Sequence, residues 1–181
     1  MAKYVPSPRD WVREQVELYE SSGGTEGTTL RDTGLPVIIV THIGNKTGAV
    51  RKTPLMRVKE GNSYVLVGSQ GGAPTDPVWV HNLRVNPDVE IRDETVVRPM
   101  RGEVGDEAER SRLWKLAIAA YPPYAEYQER TARRIPVFVA ERSWRRSPPR
   151  ASPMIARHSP REASCGKLIW SSRAGCRMSW H

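Results

Sequence analysis

The segment from Leu35 to Val58 constrains the fold of this chain more than any other stretch. Val37 to Val40 is a run of β-branched residues, which is typical of a strand covered on both faces. The chain turns between Thr41 and Gly48 and extends again from Val50. The segment therefore predicts two buried strands joined by a loop. Their rim carries cationic and hydroxyl groups of the kind that bind phosphate: Lys46, Thr47, Arg51 and Lys52.

The formal charge of +8 is distributed unevenly. Residues 142–181 contain nine basic residues and one acidic residue, so residues 1–141 are neutral as a whole. This segment is rich in Arg, Ser and Pro without periodicity, which predicts a disordered tail or the product of a shifted reading frame. As a native segment it would adhere to acidic surfaces, and no specific nucleic acid is expected as a partner.

The chain has 181 residues, enough for one domain with a real core. Both cysteines, Cys165 and Cys176, lie in the tail, which fits a reducing cytoplasm. The N-terminus lacks the apolar core of a signal peptide, and no run approaches the roughly 18 apolar residues of a membrane-spanning helix. These features predict a soluble cytoplasmic protein that contacts a membrane surface at most peripherally.

Three parts follow from the pattern: residues 1–34, residues 35–141 and the tail, residues 142–181. The first part predicts an amphipathic helix, with Ser7 as cap and Pro8 in the first position, that ends near Glu20 and precedes a flexible loop. Packing of this helix on the domain is favoured over membrane contact, because its charges are mostly acidic and anionic lipid would repel them.

The central part alternates short strands and helices. Predicted strands are Ser63–Ser69, a hairpin of Val89–Asp93 and Thr95–Val104, and Ile135–Val139; predicted helices are Pro77–Val85 capped by Asp76, Gly105–Ala120, and Tyr124 to about Thr131. About six strands and three or four short helices predict a mainly β (α+β) fold, a small antiparallel barrel with helical lids.

Three features leave a structural and a functional interpretation open. The loop around Gly71 and Gly72 forms either a nest of backbone amides for an anion or flat ring, or a plain surface turn. A buried Asn82 beside Trp79 either ties down a loop or faces a ligand. The tyrosines of residues 121–127 either pack an amphipathic face or line a pocket with hydroxyl groups.

Several catalytic motifs are excluded. Residues 44–48 do not form a P-loop, because the upstream glycine is missing and a strand follows instead of a helix. Ser69, Asp76 and His81 lack a nucleophile elbow. His42, at a strand end, is interpreted as a polar rim residue, and it lacks metal-ligand spacing with His81. An organic cofactor is therefore the expected source of any reactivity.

Four segments in consistent order closely resemble the deazaflavin (F420)-dependent nitroreductase family of mycobacteria and related actinobacteria: LPVIIVTHIGNKTGAVRKTPLMRV, GSQGGAPTDPVWVHNLRVNPDVEI, YPPYAEYQERT and IPVFV. The resemblance covers about Trp11 to Glu141. It implies a split β-barrel of the flavin mononucleotide-binding oxidoreductase type, coenzyme F420 as cofactor, and hydride transfer to quinones, nitroaromatics or similar small-molecule electrophiles. A monomer or weak dimer is expected.

The resemblance also implies roles for individual residues. Lys46, Thr47, Arg51 and Lys52 would receive the phosphate and glutamyl tail of F420. The ring would lie against Pro54, Met56 and the backbone of Gly68, Ser69, Gln70, Gly71 and Gly72, with Trp79 and Asn82 lining the cleft. Ser69, Tyr121, Tyr124 and Tyr127 would position the acceptor.

The chain departs from the family pattern at three positions, Asn45, Gln70 and Val80. Two of the departures, Asn45 and Gln70, replace basic residues that are common in the family, so we expect lowered affinity or altered preference. The alternatives are a split-barrel protein that binds flavin mononucleotide or haem, and a nonenzymatic protein that binds acidic surfaces through its tail.

Overall fold

The computed structural model describes residues 2–142, without the side chain of residue 32, and most of the predicted tail lies outside that range. Seven strands form one sheet: β1 (Val37–Ile43), β2 (Val50–Met56), β3 (Lys59–Glu60), β4 (Ser63–Val67), β5 (Asp88–Asp93), β6 (Val96–Val104) and β7 (Val137–Arg142). Four α-helices accompany it: α1 (Asp10–Ser21), α2 (Val78–Val85), α3 (Glu107–Ala120) and α4 (Pro123–Glu129). None of these helices is both long and apolar enough to cross a membrane.

Every strand pairing in the sheet is antiparallel, in the order β2-β1-β5-β6-β7-β4-β3. Strands β2 and β4 lie near opposite ends of this order and still contact each other, so the sheet curls into an open barrel. This arrangement confirms the predicted split β-barrel. The additional strand, β3, is a two-residue pairing before the turn at Gly61, too short for a periodic pattern to reveal.

Strand β1 is buried on both faces, as its β-branched sequence predicts. Ile38 and Val40 point into the barrel, where Trp79 and Leu83 of α2 pack against them in one cluster. Val37 and Ile39 point outward and are covered by α1. Helices α3 and α4 cover the outer face of β4 and β7 in a third cluster.

Two predicted helix caps are wrong. Helix α1 begins at Asp10 without a side-chain cap, and the Ser7 hydroxyl accepts from the Arg9 amide before the helix starts. Helix α2 begins at Val78, because Pro77 is extended, with ψ 150°. The Asp76 carboxylate instead forms ion pairs with two arginines, Arg84 and Arg133. Among the four described helices, α3 alone has a side-chain cap, since Asp106 accepts from the Glu109 amide.

Candidate functional site

The segment Gly68–Gly72, which we call the glycine loop, leaves the end of β4 in an unusual conformation. Ser69 is right-handed helical, with φ −72° and ψ −43°, and Gln70 follows with a positive φ of 47°. Successive residues in right- and then left-handed conformations direct consecutive amide groups into one concavity. The amides of Ser69, Gln70 and Gly71 have no acceptor among the described residues. The glycine loop therefore presents donors that suit a carbonyl oxygen or an anion.

The glycine loop abuts α4 so closely that a side chain would not fit between them. Gly72 has a φ of +82°, and a Cβ atom there would lie 2.8 Å from the Tyr127 carbonyl oxygen. The contact places the amides of the loop beside the tyrosine cluster, Tyr121, Tyr124 and Tyr127. Met56 of β2 packs against the hydrophobic cluster that includes Tyr124. The structure thus brings together residues that the resemblance assigns to the ring and to the acceptor.

The tyrosine cluster is a set of packed rings with hydroxyl groups on its surface. The Tyr121 and Tyr124 rings meet edge to face, with centroids 4.9 Å apart, and the Tyr121 and Tyr127 hydroxyls hydrogen-bond at 3.2 Å. Tyr124 is 4% exposed, and its hydroxyl has no hydrogen-bond partner in the described part of the chain. Both predicted interpretations, packing and hydroxyl lining, are compatible with this arrangement.

The pKa values of two phenol groups in this cluster, those of Tyr121 and Tyr124, are raised. Burial, together with the Tyr127 hydrogen bond and nearby negative charge, raises the pKa of Tyr121 to about 12. Burial, with Tyr121 and Tyr127 adding to it, raises the pKa of Tyr124 well above its usual range. These two residues are therefore hydrogen-bond donors at neutral pH.

A second loop, residues 44–49 between β1 and β2, carries Lys46 and Thr47 on the exposed surface. Lys46 makes no ion pair with any described residue, which leaves its ammonium group available to an anion. Asn82 of α2 fixes the loop from below, because its Oδ1 atom accepts from the Asn45 amide at 3.0 Å. Asn82, 1% exposed, thus ties down a loop, which is the structural alternative of the two interpretations.

Arg51 and Lys52 both bond the N-terminal part of the chain. They are consecutive residues of a strand and point to opposite faces of the sheet. Arg51 donates to the carbonyl oxygens of Val5 and Pro6, at 3.2 and 3.3 Å. Lys52 pairs with Glu20 of α1 at 2.7 Å, beside a cleft of about 450 Å³ along that helix. The predicted cationic rim is therefore divided between an exposed loop and the N-terminal segment.

Helix α2 lies beneath both loops. The Val80 side chain would be 2.8 Å from a Cβ atom on Gly68, and Asn82, two residues on, bonds the other loop. Trp79 packs on Phe138 inside the barrel, with ring centroids 5.6 Å apart. Pro54 is buried on the face of β2 that also carries Met56. Trp79 thus supports the site from inside the barrel, whereas Pro54 lies opposite Ile39 on the outer face.

His42 is not a rim residue, and this interpretation is corrected by its burial. It is 3% exposed, and its ring lies between Asn82 and Thr53. Burial, with a contribution from the positive charge of Arg51, lowers the pKa of His42 from 6.5 to about 4. A neutral histidine is therefore part of the support of the loop that carries Lys46.

Two further residues escape prediction from the sequence. Arg133 donates four hydrogen bonds to the glycine loop and the residues that follow it. Gln128 of α4 bonds the main chain on either side of Arg134, at the Arg133 carbonyl and the Ile135 amide. The pair of arginines before the last strand is the only sequence signal that points to them.

Comparison with known proteins shows which family the chain resembles. The family model described as F420H(2)-dependent quinone reductase matches residues 11–142. An F420H(2)-dependent quinone reductase of Mycobacterium tuberculosis is 37% identical over 132 residues, which cover 69% of this chain and 85% of that protein. The match coincides with the part of the chain that forms the barrel and its helices.

Two solved structures share the fold and 46% sequence identity. One, an F420-H2 dependent reductase named FDR-A, superposes with a TM-score of 0.56 and covers 59% of this chain and 94% of that chain. The other, described as a domain-swapped dimer, has a TM-score of 0.58 and covers 75% of this chain and 100% of that chain. Because the family model matches most of this chain, the chain belongs to the F420H(2)-dependent quinone reductase family and is an oxidoreductase that uses F420H2.

Proposed function

We propose that this chain reduces a quinone at the surface shared by the glycine loop and the tyrosine cluster. The observation that carries the proposal is the set of three consecutive amides, at Ser69, Gln70 and Gly71, that have no described acceptor and lie beside Tyr127. A preorganised set of donors fits the polar edge of a deazaflavin ring, which is rich in carbonyl oxygens. When bound, F420H2 supplies the hydride.

The proposed cofactor site uses two loops. The amides of the glycine loop hold the ring, and Met56 contacts its apolar part, with Pro54 behind it. Lys46 and Thr47 receive the phosphate and the glutamyl tail, because an ammonium group and a hydroxyl are exposed there. Arg51, which donates to two main-chain carbonyls, and Lys52, which pairs with Glu20, contribute a positive field. From α2, Asn82 holds the loop that carries Lys46, and Trp79 packs on Phe138 inside the barrel.

The proposed acceptor site lies on the tyrosine cluster. Tyr124 and Tyr121 remain protonated at neutral pH, so their hydroxyls donate to an acceptor oxygen as it gains negative charge. The Ser69 hydroxyl, which has no described partner, adds a donor at the edge of the glycine loop. These groups position the acceptor and require no strong side-chain base.

The test combines binding and turnover. Purified chain is titrated with F420, flavin mononucleotide and haem by fluorescence or absorbance, and then supplied with F420H2 and either a soluble quinone or a nitroaromatic compound. We expect saturable binding of F420 alone and faster oxidation of F420H2 with the quinone. Absence of F420 binding by folded protein would overturn the proposal, and turnover with the nitroaromatic compound alone would reassign the acceptor.

A cytoplasmic location with peripheral contact at the inner face of the membrane suits this acceptor class, because long-chain quinones dissolve in the bilayer. Leu18 is 45% exposed on the outer face of α1, which offers an apolar contact there. Sedimentation with vesicles of zwitterionic lipid tests this location, because anionic lipid would repel the acidic residues of α1. Binding that Leu18→Ser weakens, with Val85→Ser as control, supports contact through α1.

A further inference from the structure

We propose that Arg133 is a positioning residue that aims the amides of the glycine loop at the cofactor. This inference rests on the proposed function, since it concerns how the cofactor site is held. Arg133 is 14% exposed and uses all three nitrogens of its guanidinium group. Nη2 donates to the carbonyl oxygens of Gly68 and Ser69 at 3.0 and 2.8 Å, Nε to that of Ala73 at 2.8 Å, and Nη1 to Asp76 at 2.7 Å.

The geometry of the peptide bond converts these contacts into an orientation of the amides. In a trans peptide the carbonyl of one residue and the N–H of the next point in opposite directions. Arg133 holds the carbonyl of Gly68, so the Ser69 N–H points away from the guanidinium group. It also holds the carbonyl of Ser69, so the Gln70 N–H points away as well. Arg133 therefore orients the Ser69 and Gln70 amides, which are two of the three loop amides without a described acceptor.

Without the guanidinium group, few of the described hydrogen bonds fix the loop. One described main-chain bond reaches outside the loop, from the Gly68 amide to the Pro136 carbonyl at 2.9 Å. The other two form a tight turn, in which the Gly72 amide donates to the Ser69 carbonyl at 2.9 Å and the Ala73 amide to the Gln70 carbonyl at 3.3 Å. Gln70 also holds a positive φ, which is costly for a residue with a side chain, by about 1–2 kcal/mol. Such a conformation persists when its surroundings impose it. Arg133 is the polar side chain that binds the loop on the side opposite the free amides.

Arg133 also links the glycine loop to the tyrosine cluster. Gln128 of α4 donates to the Arg133 carbonyl oxygen at 2.8 Å and accepts from the Ile135 amide at 3.0 Å. The same helix carries Tyr124 and Tyr127. Arg133 thus fixes the loop that we assign to the cofactor relative to the helix that we assign to the acceptor.

Asp76 completes the arrangement, because its two carboxylate oxygens pair with Arg133 and Arg84 at 2.7 and 3.0 Å. A lysine could not replace the arginine, since an ammonium group lacks the planar fork that reaches several acceptors at once. The conservative variant Arg133→Lys should therefore behave like Arg133→Ala.

The test compares Arg133→Ala with Arg57→Ala. Arg57 is a matched control, because it also makes a partly buried pair, with Asp93 and Glu94, and forms no hydrogen bond with either loop in the described part of the chain. Two ligands are titrated by fluorescence: F420, and the deazaflavin riboside that lacks the phosphate and glutamyl tail. We expect Arg133→Ala to weaken both about tenfold, the equivalent of one interaction with a charged group. Arg57→Ala should bind both like the wild type while losing thermal stability.

Added guanidinium ion separates positioning from general destabilisation. At concentrations that do not unfold the protein, it should restore affinity to Arg133→Ala and leave Arg57→Ala unchanged. Unaltered affinity in Arg133→Ala, or affinity that guanidinium does not restore, would overturn the inference while wild-type binding still supports the proposed function. If Arg133→Ala does not fold, Asp76→Asn is used, and it should weaken both ligands to a smaller extent.

Discussion

The side-chain amide of Asn82 donates to Nδ1 of His42 across 3.2 Å. Because the Oδ1 atom of Asn82 accepts from the Asn45 amide, the nitrogen of that side chain is the atom that faces His42. His42 therefore lacks a proton on Nδ1 and donates from Nε2 to the Thr53 hydroxyl at 3.2 Å. A neutral imidazole of one tautomer thus supports the loop that carries Lys46.

This relationship predicts a loss of stability in mild acid. The pKa of His42 is about 4 in the folded protein and 6.5 in the unfolded chain, so the unfolded state binds more protons between these values. The free energy of unfolding should therefore fall as the pH drops from 6.5 to 4. The loss is on the order of 3 kcal/mol, at about 1.4 kcal/mol per pKa unit.

Urea denaturation across that pH range measures the effect. His42→Gln removes the titrating group and should flatten the dependence, whereas His81→Gln, at an exposed position of α2, should retain the wild-type slope. Equal slopes in His42→Gln and the wild type would contradict the depressed pKa.

The barrel and its helices are predictable because they depend on local patterns. The β-branched run of β1 and the apolar spacing of α3 reflect burial that the periodicity of each element records. Caps are less predictable, since Asp76 has the right residue type and position but is used by two distant arginines. Competition of this kind depends on tertiary structure.

The candidate site likewise contains residues that the sequence predicts and one, Arg133, that it does not. Glycines, tyrosines and exposed cations are visible as motifs, and the structure places the glycine loop beside the tyrosine cluster, with Lys46 on a second loop. Arg133 is not visible, because three of its four acceptors are main-chain carbonyls 60, 64 and 65 positions earlier in the chain. Every residue type has a main-chain carbonyl, so no pattern of side chains predicts which carbonyls an arginine will bind.

Lys46→Ala should weaken F420 more than it slows turnover. Its ammonium group has no ion-pair partner among the described residues, so its removal leaves the fold intact. The dissociation constant should rise roughly ten- to hundredfold, because an interaction with a charged group contributes about 1.5–3 kcal/mol. Titration with F420 and with the riboside checks this, since only F420 should be affected. Lys115→Ala, exposed on α3, is the control, and an equal effect on both ligands would move the tail to another site.

Tyr124→Phe should reduce the kcat/KM for the quinone without a loss of stability. The ring packing of Tyr124 is retained, and only a hydroxyl without a described partner is removed. Tyr124→Ala should instead destabilise the protein by about 3–5 kcal/mol, because a buried aromatic ring is deleted. Steady-state kinetics and thermal denaturation of both variants check this, with unchanged kinetics in Tyr124→Phe as the contrary result.

Gly72→Ala should lower both the stability and the kcat/KM for the quinone, whereas Gly71→Ala should lower the stability and leave the kcat/KM for the quinone unchanged. Both residues have positive φ, +82° and +68°, so an alanine at either position costs about 1–2 kcal/mol. A Cβ atom on Gly71 meets no atom within 4 Å, but one on Gly72 lies 2.8 Å from the Tyr127 carbonyl oxygen. The additional clash must push α4 away from the glycine loop.

Chemical denaturation gives the stability of the two variants, and the kcat/KM for F420H2 and for the quinone gives the alignment of the two sites. We expect Gly72→Ala to be the less stable variant and to lose kcat/KM for the quinone, because Tyr127 and its neighbours are displaced. Gly71→Ala should retain this kcat/KM, since it leaves the contact with α4 unchanged. Equal kinetics in the two variants would show that the loop and the tyrosine cluster are not coupled through Gly72.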